Sequence, residues 1–588
     1  MPHRRNMFGR GGLTMKKRVL FNSFSFVGLQ AEITASSPAE VLPALHRVEE
    51  AVARGLHAAG FVSYEAAAGL DTGLATRPAA GFPLLWFGLF SERSALDPSA
   101  EVPPAEAYQT SGWTTSLDGA EHARAVASIR ELIACGHTYQ VNFTMRQHFR
   151  FTGDPAAFYS DLRRCQPTPY SAYIDTGRFQ ILSASPELFF SLREGVLTTR
   201  PMKGTAGRGR WWQEDEEAKQ KLRESPKERA ENLMIVDLLR NDMGMVSTTG
   251  SVRVNSLFDV ETLGTVHQMT STIQSRLKDG VGLTGLFQAL FPCGSVTGAP
   301  KKRTMEIIAE LEDSPRGVYT GCIGYVSPGD EAQFSVAIRT IVIDAATGRG
   351  ELGIGSGVTF DSQADAEYAE CLAKGRFARE KPREFHLIES LLFDEGKGYF
   401  LLERHMERLK RSAAYFAFTL EAGGAEKALE EIGSHLIGKQ KVRLLLSRTG
   451  EIACEAAPIG AESGGKELTV TFARRTADSA DPFLYHKTTS RSLYAEEAAL
   501  RPDCADVLFI NERGEVTEGT ISNIVARIGG ELVTPPLCCG LLPGVFREEL
   551  LENGEIRERV ICREELETAE EIFLVNSVRK WRRVQLCD

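Results

Sequence analysis

The sequence predicts an α+β protein of two unlike modules. Its 588 residues exceed what one hydrophobic core accommodates, so at least two domains are expected. Residues 18–110 combine short apolar runs with one helix around residues 43–59. Helical and strand patterns then alternate between residues 120 and 375, and a new succession of strands and helices begins near residue 386. The two halves share no internal repeat, which indicates unrelated modules.

The composition is that of an ordinary globular protein, with 43% hydrophobic and 25% charged residues. The formal net charge of −10 argues against a nucleic-acid-binding protein, because such proteins usually carry a basic balance or stripe. No stretch approaches the roughly 18 consecutive apolar residues of a membrane span, so no membrane association is expected. The eleven cysteines include no CxxC pair, which predicts reduced thiols and a cytoplasmic location.

The predicted domain boundaries follow these changes of pattern. Residues 1–17 are expected to form a disordered tail, and residues 18–375 the first domain. The charged, proline-containing stretch AKGRFAREKPREFH predicts a linker at residues 376–385. Residues 386–588 then form the second domain.

Acidic residues at helical spacing form the first candidate site. Glu367 and Glu370 lie three residues apart in DAEYAECLAKG, so a helix presents both on one face. Glu231 lies in a second helix, RAENLMIVDLLRND, opposite its apolar stripe. Carboxylates that converge from two helices suit Mg²⁺, which prefers a few carboxylates, water and an anionic ligand. The alternative is a solvated helix surface, where glutamates are usually found.

The order of the motifs in the first half supports a more specific interpretation. Nine motifs follow one another: GHTYQVNFT (136–144), PTPYSAYI (167–174), SASPELFF (183–190), PMKGT (201–205), ERAENLMIVDLLRNDMG (228–244), FPCGSVTGAPK (291–301), YTGCIGY (319–325), FSVAIRT (334–340) and GSGVTFDSQADAEYAECLAK (355–374). Together they resemble the chorismate-utilising enzymes, which include the large components of anthranilate synthase and aminodeoxychorismate synthase. The resemblance covers roughly residues 20–375 and implies a chorismate-binding α/β sandwich of the anthranilate-synthase type.

This resemblance assigns roles by position. It implies that Glu231, Glu367 and Glu370 hold Mg²⁺, which would neutralise the chorismate ring carboxylate and assist loss of the C4 hydroxyl. Glu187 matches a general acid near that leaving hydroxyl. The remaining matches are to substrate-binding positions: Arg339 and Tyr319 for the enolpyruvyl carboxylate, and Thr297 with the backbone of Gly355, Ser356 and Gly357 for the lining of the pocket.

Lys203 lies in RPMKGTAGRGR and is either a surface cation or a nucleophile. The motif PMKGT resembles PIKGT of the aminodeoxychorismate branch, whereas the anthranilate branch resembles PIAGT. Direct attack by ammonia at carbon 2 gives the ortho product. If a lysine attacks carbon 2 first, ammonia adds at carbon 4 and expels it, which gives the para product. The resemblance therefore implies that Lys203 is a covalent nucleophile, a role that requires a lowered pKa.

Two further positions bear on the reaction. Isochorismate and salicylate synthases resemble this family but place a lysine near Gln140 to activate water, so ammonia is the expected nucleophile here. The histidine of the family falls on Gln268, and His267 should point to the opposite side of its strand. The sequence shows no glutaminase module, so the resemblance implies a separate glutamine amidotransferase as the partner that supplies ammonia.

The second half resembles fold-type-IV pyridoxal phosphate enzymes over residues 384–588, a family of two-subdomain proteins that includes branched-chain and D-amino-acid aminotransferases and aminodeoxychorismate lyase. The resemblance rests on FLYHKTTSRSLYAEEAAL, ERGEVTEGTISNIV, CGLLPGVFREEL and LLERHMERLKRSA. It implies Lys487 as the Schiff-base lysine and Glu518 as the partner of the pyridine nitrogen. The implied phosphate ligands are Arg408, the backbone of Val545 and Phe546, and Ser577.

Two departures mark this half. Ser490 stands where an asparagine is often found, and GVFR replaces GITR, so a threonine hydroxyl contact is missing. By analogy with the family, a homodimer through this half is a further expectation.

Three functions are compatible with the sequence motifs. The favoured one joins amination of chorismate at carbon 4 to elimination of pyruvate, with 4-aminobenzoate as the product. The rival enzyme is an anthranilate synthase large component fused to an aminotransferase-like domain. A regulatory or scaffold protein with decayed sites is the alternative from another class, and the intact Glu231, Glu370, Lys203 and Lys487 argue against it.

Overall fold

The computed structural model describes residues 17–79, 81–96, 107–459 and 468–587. The predicted tail at residues 1–17 lies outside this part of the chain except for Lys17. The chain divides into two compact units: unit 1 comprises Met1–Gly207 and Lys219–Pro382, and unit 2 comprises Arg208–Ala218 and Arg383–Asp588. Within the described residues, no helix is both long and apolar enough to cross a membrane.

Unit 1 is built on a connected antiparallel sheet, which has 18 strands within the described residues. Its strands are β1 (Val19–Phe21), β2 (Phe24–Ala35), β3 (His57–Val62), β4 (Leu85–Ala95), β5 (Tyr108–Thr115), β6 (Gln140–Gly153), β7 (Tyr170–Asp175), β8 (Phe179–Ser185), β9 (Leu188–Arg193), β10 (Val196–Arg200), β11 (Met202–Gly207), β12 (Arg253–Leu263), β13 (Val266–Arg276), β14 (Gly298–Ala299), β15 (Cys322–Ser327), β16 (Glu331–Val336), β17 (Thr340–Asp344) and β18 (Arg349–Val358). Its helices are α1 (Pro38–Ala53), α2 (Ala67–Leu70), α3 (Gly119–Ala134), α4 (Pro155–Cys165), α5 (Trp212–Glu224, which begins in unit 2), α6 (Pro226–Val246), α7 (Leu283–Leu290), α8 (Lys301–Leu311) and α9 (Ala364–Gly375).

Helices α6 and α9 bring the predicted acids to the sheet. The Ser225 hydroxyl accepts the Glu228 N–H at 3.3 Å and Pro226 occupies the first turn, so α6 begins as its sequence predicts. Its apolar stripe, which includes Ile235 and Leu239, is buried. Helix α6 packs on β11 and β13, and α9 packs on β18. Residues of these five elements therefore face one region.

Unit 2 has two subdomains, as the fold-class prediction expected. A four-stranded sheet in the order β20-β19-β21-β22 carries α10 and α11, and a mixed eight-stranded sheet forms the rest. The strands are β19 (Leu387–Asp394), β20 (Gly398–Tyr399), β21 (Lys439–Leu446), β22 (Ile452–Pro458), β23 (Thr469–Phe472), β24 (Asp506–Ile510), β25 (Val516–Gly519), β26 (Asn523–Ile528), β27 (Glu531–Thr534), β28 (Arg557–Glu558), β29 (Glu571–Asn576) and β30 (Lys580–Leu586). The helices are α10 (Leu402–Phe416), α11 (Gly424–Gly433), α12 (Ser492–Ala499), α13 (Val545–Glu552) and α14 (Arg563–Glu567).

The position predicted for the first helix was wrong by five to six residues. The sequence placed it at residues 43–59, whereas α1 spans Pro38–Ala53. The Glu40 carboxylate accepts the backbone N–H groups of Ser36 and Ser37 at 2.7 and 3.3 Å, which starts the helix earlier. Gly55 has a φ of 95°, which ends it, and the next residues form β3.

Candidate active sites

Unit 1 contains a cavity of about 190 Å³ between β11, β18, α6 and α9. Eight of the residues singled out from the sequence line it: Glu187, Lys203, Glu231, Tyr319, Arg339, Gly357, Glu367 and Glu370. The structure thus brings together residues that lie up to 183 positions apart in the chain, from 187 to 370.

Lys203 extends from β11 into this cavity. Its Nζ lies so close to Gly357 that a Cβ at that position would be 2.6 Å from Lys203 Nζ and 2.5 Å from Gln140 Nε2. Only glycine therefore leaves room for both side chains. The surrounding protein lowers the pKa of Lys203 by desolvation, although Glu231 and Glu187 partly oppose this shift. An amine with a lowered pKa is the form that a nucleophilic lysine needs.

The carboxylates of the cavity do not form a complete coordination shell for a cation by themselves. Within the described residues, no group of three or more His, Cys, Asp or Glu side chains is arranged to hold a metal ion. Desolvation raises the pKa of Glu231, and the nearby Glu367 and Glu370 raise it further. Glu370 bonds to Lys374 Nζ at 2.6 Å. Mg²⁺ commonly takes a few carboxylates and completes its shell with water and an anionic substrate, so these residues fit the carboxylate part of that shell.

Glu187 is buried at the edge of the cavity. Ser295 Oγ donates a hydrogen bond to Glu187 Oε1 at 2.6 Å. Burial raises the pKa of Glu187 to about 7, although the Ser295 hydroxyl and Lys203 oppose the shift. A carboxyl group that is partly protonated near neutral pH can donate a proton, as a general acid must.

Arg339 presents a cation to the cavity. The guanidinium forms no ion pair among the described residues, and burial lowers the pKa of Arg339 to about 10. Its backbone has a φ of 51°, an uncommon conformation for a residue with a side chain. Tyr319 lies against Gly353, where a Cβ would come within 2.1 Å of the ring. This pair suits an anionic ligand that needs a planar donor and an aromatic wall.

Two predicted residues do not present their side chains to this cavity. The Thr297 hydroxyl donates to the carbonyl groups of Cys293 and Gly294, each at 3.3 Å. Ser356 is buried between Gly355 and Gly357 on β18, and its side chain does not line the cavity. Side chains alternate along a strand, so only the glycine neighbours face the cavity.

Sequence reasoning left out several lining residues of unit 1. Glu228 lies three residues before Glu231 and lines the same cavity, so the spacing used for the α9 acids would have found it. Ser295 offered no such signal, because its contact with Glu187 joins distant segments. Gln268 donates to the Gly204 carbonyl at 2.8 Å, whereas His267 contacts Thr262. The predicted alternation of these two residues is therefore confirmed.

In unit 2, Lys487 lies near two arginines and two acids. Desolvation, together with Arg491 and Arg408, lowers the pKa of Lys487 to about 7. Glu389 and Glu518 oppose the shift. An amine with this pKa is largely neutral just above pH 7, as carbonyl chemistry requires.

Glu518 is held from two directions. The Tyr494 hydroxyl donates to Glu518 Oε1 at 2.8 Å, and Asn523 Nδ2 donates to Glu518 Oε2 at 3.2 Å. Burial raises the pKa of Glu518 to about 7, and Arg491 and Tyr494 oppose the shift. A buried carboxyl group held in this way can face the nitrogen of a pyridine ring.

Arg408 is fixed by three hydrogen bonds. Its Nε and Nη2 donate to the two oxygens of Glu389 at 2.9 and 2.6 Å, and its Nη1 donates to the Pro543 carbonyl at 3.0 Å. A guanidinium has five N–H groups, so one remains on each terminal nitrogen. His405 also contacts Glu389, at 2.6 Å. Two parallel N–H donors on a fixed guanidinium suit a phosphate.

The start of α13 follows Pro543 directly. The N–H groups of Val545 and Phe546 lie in the first turn, where a helix has no internal acceptors for them. A Cβ at Gly544 would come within 2.0 Å of Asn523 Oδ1, so glycine is required at this approach. Ser577 donates to the Ser390 carbonyl at 3.3 Å, beside Glu389 on β19. Together with Lys487 and Glu518, these donors fit pyridoxal phosphate.

The supporting residues of unit 2 were not predicted as site residues. They are Glu389, His405, Tyr494 and Asn523. His405 could have been found, because it lies three residues before Arg408 on the same helix face. Glu389 and Tyr494 act through contacts between separate elements, which spacing does not reveal.

Comparison with known proteins agrees with this arrangement. Residues 14–380 match the family model described as chorismate binding enzyme, and residues 386–587 match that described as amino-transferase class IV. The chain is 44% identical over 262 residues to aminodeoxychorismate synthase component 1 of Bacillus subtilis (strain 168), which covers 45% of this chain and 55% of that protein.

Two further similarities concern the first half. Anthranilate synthase component 1 of Streptomyces coelicolor is 39% identical over 280 residues, or 47% of this chain and 54% of that protein. The crystal structure of anthranilate synthase component I from Streptococcus pneumoniae TIGR4 has 25% identity and a TM-score of 0.54, and covers 64% of this chain and 95% of that one. The chain thus spans about half the length of these curated relatives. Because the match extends over more than half of its residues, the chain belongs to the chorismate binding enzyme family.

Proposed function

We propose that unit 1 aminates chorismate at carbon 4 to form 4-amino-4-deoxychorismate, and that unit 2 eliminates pyruvate from this product to form 4-aminobenzoate, a folate precursor. The observation that carries the proposal is Lys203, an amine of lowered pKa in the same cavity as Glu187 and Arg339. The similarity to aminodeoxychorismate synthase component 1 supports the same substrate.

In the first reaction, Arg339 binds the enolpyruvyl carboxylate and Lys203 attacks carbon 2 of the ring. The double bonds shift and the C4 hydroxyl leaves as water with a proton from Glu187. Ammonia then adds at carbon 4 and expels Lys203, so the net change replaces hydroxyl by amine. Mg²⁺ would be held by Glu231, Glu367 and Glu370, and it would neutralise the ring carboxylate. Ammonia would come from a separate glutamine amidotransferase, which accords with the component numbering of the relatives.

In the second reaction, Lys487 removes the proton at carbon 4 of the aminated substrate, and pyruvate leaves as the ring becomes aromatic. Arg408, the N–H groups of Val545 and Phe546, and Ser577 would hold pyridoxal phosphate by its phosphate, and Glu518 would face its pyridine nitrogen. When bound, this cofactor supplies a sink for the electron pair released at carbon 4.

The rival function is formation of anthranilate. The 39% identity to an anthranilate synthase component supports this alternative. The test incubates the protein with chorismate, Mg²⁺, ammonium and pyridoxal phosphate, and separates the products by chromatography. We expect 4-aminobenzoate from the wild type, accumulation of aminodeoxychorismate with Lys487→Ala, and no amination with Lys203→Ala. Anthranilate from the wild type would reject the proposal and support the rival.

A further inference from the structure

The segment Arg208–Ala218 belongs to unit 2, although the chain on both sides of it belongs to unit 1. It begins five residues after Lys203 and lies within the part matched to the chorismate binding enzyme family. A buried ion pair closes the segment into a loop: Arg208 Nε and Nη2 bond to the Asp215 carboxylate at 2.8 and 3.0 Å. The Gly209 N–H donates to the same carboxylate at 2.9 Å.

This loop is attached to the last turn of α10 through Tyr415. Arg208 Nη2 donates to the Tyr415 carbonyl at 3.2 Å, and the Tyr415 hydroxyl donates to the Gly209 carbonyl at 2.8 Å. The Arg208 guanidinium also lies 4.0 Å from the centre of the Tyr415 ring. A cation in this position is attracted by the face of the ring.

The loop also holds Tyr485, two residues before Lys487. The rings of Trp211 and Tyr485 have centroids 5.1 Å apart. Arg210 Nη1 donates to the Tyr485 hydroxyl at 3.3 Å and to the Ser479 carbonyl at 3.2 Å. Glu214 orients Arg210 through a hydrogen bond of 2.9 Å from Nη2. Tyr485 is consequently fixed on its ring face and at its hydroxyl.

His486 lies between these attachments. Its ring centroid is 4.3 Å from that of Tyr415, and Ser412 Oγ lies 3.0 Å from its Nδ1. Burial, together with Arg208, lowers the pKa of His486 to about 3, so this neighbour of Lys487 stays neutral at physiological pH. On the other side, the Lys487 carbonyl accepts the Ile388 N–H at 2.9 Å.

We propose that the Arg208–Ala218 segment is a positioning element for Lys487, and that the cofactor-dependent step of unit 2 depends on this piece of the first half of the sequence. The inference rests on the proposed function of unit 2. The segment fixes Tyr485 and His486, and these two residues set where the chain delivers Lys487. Trp211, Trp212 and Gln213 also line a cavity of about 540 Å³ together with Arg408 and His486.

The test uses the full chain with Trp211→Ala and Arg210→Ala. Arg408, Arg491, Glu389 and Glu518 act on the pKa of Lys487, and His405 also interacts with it; all five lie outside the segment. Loss of the packing on Tyr485 admits water near Lys487, so its pKa should rise toward the ordinary lysine value. Borohydride trapping of pyridoxal phosphate on Lys487 across a range of pH, followed by mass spectrometry, measures the pKa of Lys487 without any lyase substrate. We expect the midpoint to move up by about one pH unit.

The kinetic readouts separate the two units. Conversion of supplied aminodeoxychorismate should fall about tenfold in both variants, since small misplacements of a catalytic group cost one to two orders of magnitude. Ammonium-dependent consumption of chorismate should be unchanged. Trp211→Phe keeps an aromatic ring and should restore the trapping profile. Arg557→Ala is the matched control, because it removes an exposed ion pair with Glu531 elsewhere in unit 2.

Every outcome of these measurements either supports or contradicts the role of the Arg208–Ala218 segment. A wild-type trapping midpoint and lyase rate in Trp211→Ala and Arg210→Ala would overturn it, even if the melting temperature of the variants fell. A shifted midpoint in these variants alone would support it. If the wild type traps the cofactor on Lys487 but does not convert aminodeoxychorismate, the lyase assignment fails while the trapping profile still decides the role of the segment.

Discussion

Lys203 and Lys487 are held in opposite electrostatic surroundings. Desolvation lowers the pKa of both lysines. Around Lys203 the strongest neighbour is Glu231, which raises the pKa again, and Glu187 acts in the same direction. Around Lys487 the strongest neighbours are Arg491 and Arg408, which lower the pKa further, to about 7. The strongest charged neighbour of Lys203 is therefore an acid, and the two strongest of Lys487 are arginines.

The difference teaches what each unit is prepared to bind. The acids near Lys203 suit a cation together with an anionic substrate, and until these bind they oppose the neutral amine. The arginines near Lys487 suit a phosphate, and they favour the neutral amine before any ligand is present. Substitutions at Lys203, Gly357, Glu389 and Arg491 test this contrast.

Lys203→Arg should abolish amination, with a loss of about 10³-fold or more. Arginine keeps the positive charge but is not deprotonated in proteins, so it cannot act as a nucleophile. The rate of chorismate consumption with ammonium measures the effect, and Lys302→Arg at an exposed site serves as the control. Substantial amination by Lys203→Arg would show that charge alone is required at this position.

Gly357→Ala should reduce amination by about 10²-fold, because a displacement of about 1 Å at a reacting group has this order of effect. The new Cβ would lie 2.6 Å from Lys203 Nζ and 2.5 Å from Gln140 Nε2, so both side chains must move. Gly244→Ala in α6 meets no atom within 4 Å and should leave the rate unchanged. Equal rates for both variants would contradict the close placement of Lys203.

Glu389→Gln should weaken pyridoxal phosphate binding about tenfold, since a hydrogen bond to a charged group contributes about 1.5–3 kcal/mol. The variant loses the carboxylate that orients Arg408. Absorbance titrations with pyridoxal phosphate and with pyridoxal, which lacks the phosphate, separate the two effects. We expect the affinity for pyridoxal phosphate to fall and the affinity for pyridoxal to stay the same. Equal losses of affinity for both ligands would refute the role of Glu389 in phosphate binding. Glu567→Gln, at an exposed pair with Arg563, is the control.

Arg491→Met should raise the pKa of Lys487 by about one unit. The neutral fraction at pH 7 then falls, so borohydride trapping of the cofactor should be several-fold slower at pH 7 and equal to wild type above about pH 9. The exposed Arg475, paired with Glu496, provides the control substitution to Met. An unchanged or lower midpoint would mean that Arg491 does not depress the pKa of Lys487.

Local patterns predicted much of this protein. The Ser-Pro start of α6 and the spacing of Glu367 and Glu370 are short-range features, and the structure bears out both helices. The start of α1 was misplaced because Glu40 caps it through Ser36 and Ser37, a signal that the apolar pattern of the helix does not contain.

The residues of the two candidate sites were largely identified from ordered motifs, but their partners were not. Ser295 reaches Glu187 across 108 positions, and Tyr494 reaches Glu518 across 24. Such pairs depend on how separate elements pack, so no periodic pattern in the sequence predicts them. The burial of Ser356 between two glycines likewise follows from which face of β18 meets the cavity.

By itself, the sequence determined the two modules, the two lysines and most of the groups expected to act with them, because these features reside in local motifs and residue spacing. Only the tertiary structure decided that Thr297 and Ser356 turn away from the cavity, and that Arg208–Ala218 joins unit 2. Side-chain direction and long-range packing depend on contacts between segments that are distant in the chain. Many residues determine such contacts together, so no single local motif predicts them.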